Sequence, residues 1–200
     1  TSSTTFPAMT GNVVLEVGDW LMVEFRSFCL IDDPSAGTDQ PEGAPVEDVE
    51  DYLPPPDPPE GHDLLTAAPG IVAITTGVFR GMVHVTFRVS DTSPATVDTE
   101  EWDTVEELGF RALSESTRIA SGEFVPVVGA RGAFTDTLTA DGAGNYGVRA
   151  YERGRHLALG QSRSEDDDYT RERYLVEIWP TGERLLPRRR IKGQAPPLLG

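Results

Sequence analysis

Hydrophobic and polar residues alternate along much of this chain with a period of two. In "GMVHVTFRVS", residues 81–90, Val83, Val85, Phe87 and Val89 fall on one side and Met82, His84, Thr86 and Arg88 on the other, the pattern of a half-buried strand. "GIVAITTG", residues 70–77, is a short β-branched run, and the turn-like "GVFRG" after it predicts a hairpin with residues 81–90. "VVLEVGDWLMVEFRSFCLI" reads as two strands broken near Gly18 and Asp19. "VEELGFRAL" places Glu106, Leu108, Phe110 and Ala112 on one face. "STRIAS" and "EFVPVV" flank Gly122 as a second hairpin, and "GAFTDTLTA" and "NYGVRAYE" flank the turn-forming "DGAGN" as a third. In "RYLVEIWP", Tyr174, Val176 and Ile178 share one face and Leu175, Glu177 and Trp179 the other, until Pro180 ends the run.

A long 3.6-period stripe is missing. The acids of "DTEEWDTVEEL" suit at most one helical turn at residues 98–108. About eight to ten strands, with turns roughly every 8–12 residues, predict an all-β antiparallel sandwich. The expected boundaries are a flexible start over residues 1–11, a sandwich over 12–31 and 70–181, an acidic Pro-rich insertion over 32–69, and a basic then Pro-rich mobile tail over 182–200.

Charge sharpens this division. The formal net charge is −16 over 200 residues, and no Lys or Arg lies between Arg26 and Arg80. Such a balance argues against neutralising phosphates on nucleic acid and against an anionic membrane surface. It favours a basic protein partner. No apolar run is long enough for a bilayer, and the first residues lack the basic start and apolar core of a secretory signal, so a cytoplasmic location is expected. Cys29 has no disulfide partner and reads as a buried structural thiol.

Candidate chemistry is thin. His62, His84 and His156 have no metal-ligand spacing, and no cofactor motif is present. Asp166, Asp167 and Asp168 offer oxygens to calcium but lack the spacing and glycine of an EF-hand loop. The densest basic stretch is "GNYGVRAYERGR", residues 144–155, where Arg149, Arg153 and Arg155 sit beside Tyr146 and Tyr151. Alternation puts Arg149 and Tyr151 on one face. If this strand pairs with "RERYLVEIWP", Arg149 meets Glu177, with an aromatic over the guanidinium, in an exposed cross-strand pair. Arg153 and Arg155 fall in the turn opposite Asp166–Asp168.

The same region carries a resemblance. "GNYGVRAYERGR", an acidic loop and "ERYLVEIWP" resemble the C-terminal half of a group of small actinobacterial β-proteins, which carry a Y-R-V-R-V-x-A-R-G-R strand, an acidic loop and an E-Y-L-x-Q-x-W-P strand. Tyr146, Arg149, Tyr151, Arg153, Arg155, Tyr174, Glu177, Trp179 and Pro180 stand in the matching stretches. Gly147 replaces an Arg of that pattern and Glu177 a Gln. The group is distantly similar to the competence protein J family, inhibitors that bind a DNA-entry nuclease. The resemblance spans residues 12–31 and 70–181, offers no catalytic residue, and implies a non-enzymatic sandwich acting through a protein interface.

The leading functional expectation is an acidic protein-binding module, inhibitor- or immunity-like, masking a basic partner such as a nuclease. Its candidate contacts are Asp48, Glu50, Asp51 and Tyr52 in the insertion and Glu100, Glu101, Trp102 and Asp103 on the body. The alternatives are a small-ligand or carbohydrate-binding sandwich using Trp20, Trp102, Trp179, Tyr151 and Tyr169, or a structural subunit of a larger assembly.

Overall fold

A computed structural model describes residues 12–32, 63–94, 99–122, 126–135, 137–139, 141–159 and 169–193. Ten strands run in chain order: β1 (Val13–Val23), β2 (Ser27–Asp32), β3 (Leu65–Ala68), β4 (Ile71–Thr75), β5 (Gly81–Ser90), β6 (Thr104–Ala112), β7 (Thr117–Ser121), β8 (Gly144–Arg153), β9 (Tyr169–Gly182) and β10 (Arg189–Lys192). A 3-10 turn over Arg155–Leu157 is the one helical piece among the described residues. Six strands form one sheet in the order β1-β5-β9-β8-β6-β10, and four form the other in the order β3-β4-β2-β7. The two-layer all-β architecture is the expected one. All pairings are antiparallel except β5 with β9, which run parallel.

The core lies between the sheets, and the period-2 faces identify it. Val83, Val85, Phe87 and Val89 of β5, Leu108, Phe110 and Ala112 of β6, and Tyr174, Val176 and Ile178 of β9 are all buried there, facing Phe28 and Leu30 of β2 and Val72 and Ile74 of β4. Phe28 meets Phe87 and Tyr174 edge to face, at 6.3 and 5.5 Å between ring centroids. Cys29 packs with Ile71 and Ala120 on the opposite side of the smaller sheet, and burial pushes its thiol up to about 12, as befits an inert structural residue.

Several local expectations are corrected. Residues 71–75 and 81–90 form no hairpin: β4 pairs with β2 and β3, while β5 belongs to the other sheet. Both runs are apolar enough to serve either layer, so chain proximity misled. Strand β1 continues through Gly18 and Asp19 because Asp19, though buried, has its carboxylate occupied: it accepts N–H bonds from Trp20 and Arg131 at 2.7 Å each. The true break is at Phe25 and Arg26, whose φ values of 54° and 59° are left-handed; both central residues of a tight hairpin turn adopt that conformation. Residues 133–135 and 137–139 are not strand, so β8 has no hairpin partner before "DGAGN"; Tyr146 instead donates its hydroxyl to the Gly142 carbonyl at 2.7 Å and closes that turn. Of the second hairpin, the described residues show one bridge, between Ala120 and Pro126, with the Val127 N–H donating to the Ile119 carbonyl at 3.0 Å. Ahead of β6 the described residues show a single hydrogen-bonded turn, the Trp102 N–H donating to the Thr99 carbonyl at 3.3 Å, and no helix.

Two strands lie beyond the expected sandwich boundaries. β3 occupies the end of the segment read as insertion, and β10 forms from the segment read as mobile tail. Both are held by Glu106, which is fully buried. Its carboxylate accepts the N–H groups of Leu64 and Leu65 at 3.1 and 3.2 Å and the guanidinium of Arg190 at 2.8 Å. Arg188 bridges Glu106 and Asp63. A buried carboxylate without such partners would be prohibitively costly, so Glu106 ties the basic segment to the edge of the sheet.

Candidate functional site

The outer face of the six-stranded sheet gathers the charged residues singled out in the sequence. Register alone lines them up. Glu16 of β1 sits opposite Arg88 of β5, Arg88 opposite Glu177 of β9, Glu177 opposite Arg149 of β8, Arg149 opposite Glu107 of β6, and Glu107 opposite Arg189 of β10. One residue from each of six strands thus forms a row of alternating charge. The links are short: Arg88 to Glu16 at 2.8 Å, Arg88 to Glu177 at 3.3 Å, Arg149 to Glu177 at 3.2 Å, Arg149 to Glu107 at 2.7 Å and Arg189 to Glu107 at 2.9 Å.

The middle of this row is buried. Arg149 is 2% exposed, Glu177 4% and Glu107 5%, so the expectation of an exposed pair is corrected. Three features cover it. Tyr151 donates its hydroxyl to Glu177 at 2.7 Å. The Trp179 ring lies 5.0 Å from the Arg149 guanidinium carbon, within cation–π range. Trp102 packs on Tyr151 with ring centroids 5.5 Å apart. Burial works against the guanidinium's charge, but its bonds to Tyr151 and Glu107 more than offset that, and Arg149 is held more firmly protonated than an ordinary arginine. The Tyr151 phenol is pushed up by burial and by its bond to Glu177, and stays neutral.

Two glycines make room for this cover. Gly147 and Gly109 are direct partners across β8 and β6. A Cβ on Gly147 would lie 2.3 Å from a Trp179 ring carbon, and one on Gly109 would lie 2.4 Å from the backbone nitrogen of Leu186. The Arg that the resembling pattern carries at Gly147 has no space beside this indole. Beyond Trp179, an open pocket of about 420 Å³ is lined by Glu107, Trp179, Arg184, Leu186 and Arg189, among others. Every carboxylate of the row is paired with a guanidinium.

One register step beyond Tyr151, the same face changes character. Trp20, His84, Arg173 and Arg153 follow one another across β1, β5, β9 and β8, with no carboxylate between them. Trp20 meets His84 edge to face at 5.3 Å.

The remaining predicted residues disperse. Tyr146 and Tyr174 are in the core. Arg155 is buried in the 3-10 turn that follows β8, and its backbone N–H donates to Glu152 at 2.6 Å; the acids expected opposite it lie outside the described residues. Pro180 borders the pocket. Glu100 and Glu101 are exposed. Asp103 is engaged with the chain itself, accepting the Gly154 N–H at 2.9 Å. Asp48, Glu50, Asp51, Tyr52 and Asp166–Asp168 lie outside the described residues, as does the side chain of Tyr169. Trp20, Trp102 and Trp179 each pack on a different neighbour, His84, Tyr151 and Arg149 in turn. Sequence reasoning missed Glu16, Arg88, Glu107 and Arg189; alternation placed Arg88 on the outer face, but the register that joins it to Glu177 links strands far apart in the chain. Among the described residues, no cluster of His, Cys, Asp and Glu is arranged to hold a metal ion.

No family model matches this chain, and no curated protein matches it. Two solved structures are distantly similar in fold. One is ComJ from Bacillus subtilis, described as an inhibitor of the DNA-degrading activity of NucA, at 12% identity and a TM-score of 0.42, covering 82% of this chain and 95% of that one. The other is the product of crocagin biosynthetic gene J, at 14% identity and a TM-score of 0.44, covering 84% of this chain and 99% of that one.

Proposed function

We propose that this protein is a non-enzymatic binding module that presents acidic segments to a basic protein, inhibitor-like in action, with a nuclease as the candidate partner. The observation that carries this reading is the segregation of charge. The described residues hold 17 of the 33 carboxylates and 16 of the 17 basic side chains, so the sandwich is close to neutral; the other 16 carboxylates are accompanied only by Arg163. Nearly all of the −16 net charge therefore belongs to the segments outside the described sandwich. An acidic surface of this kind steers a basic groove toward it and competes with a polyanion for that groove. Asp48, Glu50, Asp51 and Tyr52, with Glu100, Glu101 and Trp102 on the body, are the proposed contacts. Asp103 serves the fold instead.

The test is capture by the immobilised full chain at about 0.05 M and about 0.5 M salt, with identification of what is retained and a parallel D48N/E50Q/D51N chain. A basic protein held at low salt, released at high salt and lost by the variant is expected, and its activity on DNA should fall on adding the native chain. Retention indifferent to both salt and the variant would contradict the reading and favour a subunit of a stable assembly.

A further inference from the structure

Arg153 and Arg173 face each other directly across β8 and β9. Both are exposed, and neither guanidinium has an ion-pair or hydrogen-bond partner among the described residues. Like charges placed opposite one another on adjacent strands are destabilising, and a few residues along the same strands Arg149 and Glu177 show the matched alternative. Among the described residues, the sheet therefore holds two fork-shaped donors side by side with nothing supplied between them. His84 adjoins Arg173 in the β5–β9 register. Trp20 closes that side, with its ring against the imidazole.

We propose that the Arg153–Arg173 pair, flanked by His84, is a binding site for a phosphate dianion, free or carried on a small organic molecule. Two guanidinium forks suit the several oxygens of a phosphate, and a dianion neutralises both charges, where a carboxylate would neutralise one. His84 adds a third donor, and the ring of Trp20 offers an apolar wall to an organic carrier. The site is separate from the acid-mediated partner binding above and of opposite sign.

His84 also reports on it. Its imidazole is held below the ordinary value by burial first and by Arg173 next; Arg131 adds to this and Asp19 opposes it. An anion between the arginines reverses the arginine contribution and raises the titration midpoint.

The full chain is titrated with inorganic phosphate and with phenyl phosphate at constant ionic strength, following the His84 imidazole by NMR and tryptophan fluorescence. Both ligands should raise the His84 midpoint saturably. R153Q and R173Q should each weaken binding about tenfold, while R118Q, on the other sheet, leaves it unchanged. Tighter binding of phenyl phosphate assigns an organic carrier; equal binding assigns phosphate alone. An unmoved His84, or the same shift in R153Q and R173Q, would overturn the site. So would binding seen only in a D166N/D167N/D168N chain, which would assign the counter-charge to the protein itself.

Discussion

Arg149 and Arg173 stand on neighbouring strands of one sheet face, yet they live in opposite electrostatic settings. Arg149 is 2% exposed, between two carboxylates and near an indole. Arg173 is exposed beside another arginine. The difference is set by what the next strand supplies at the same register: Glu107 of β6 and Glu177 of β9 for the first, Arg153 of β8 and His84 of β5 for the second. Closed pairs of charge hold a fold together. The Arg153–Arg173 pair has no such counter-charge among the described residues.

The largest effect expected is from breaking the closed row. Arg149→Met leaves Glu107 and Glu177 short of a partner in a dry environment, and a loss of about 3–5 kcal/mol is predicted in urea denaturation. A loss under about 1 kcal/mol would mean that water already reaches the row. Gly147→Ala forces a Cβ into the Trp179 ring and should cost about 1–3 kcal/mol, with a changed tryptophan emission; an unaltered spectrum would show the indole elsewhere. By contrast Arg173→Gln should change stability by no more than about 0.5 kcal/mol. A large loss there would give Arg173 a structural partner and erase the contrast between the rows.

The smallest effect concerns pH. Burial raises the carboxyls of Glu152 and Glu172 above the ordinary 4.5, even though Glu172 accepts the Gly77 and Val78 N–H groups at 3.0 and 2.7 Å and the Tyr174 hydroxyl at 2.5 Å. With the folded value above the unfolded one, the folded state holds its proton longer. Their contribution is full below about 4.5 and is lost as pH rises through the folded values. Glu172→Gln should therefore flatten the decline of melting temperature with pH in the mildly acidic range; an unchanged slope would show that Glu172 titrates normally.

The faces of individual strands were legible in the sequence, because alternation in β5, β6 and β9 separates core from surface without knowledge of their partners. The Arg149–Glu177 pairing and its aromatic cover followed from the same parity. Burial of that pair was not legible. It depends on Gly147 and Gly109 opening a trough and on residues 183–188 returning over it, contacts between segments far apart in the chain. Nor was the sheet membership of β4, whose apolar run fits either layer, or the docking of β10, which rests on Glu106 reaching both Leu64 and Arg190. The acidic excess between Arg26 and Arg80 was legible in the sequence; that the described strands and turns are themselves nearly neutral emerged once their bounds were known.

A double-mutant cycle on Arg149 and Glu177, measured by urea denaturation with Arg149→Met, Glu177→Gln and the pair, tests the closed row most directly. The account predicts a coupling of at least about 1.5 kcal/mol, the double mutant losing less than the two single losses combined. Strict additivity would contradict it, and would make the row an alignment of charges that do not hold one another.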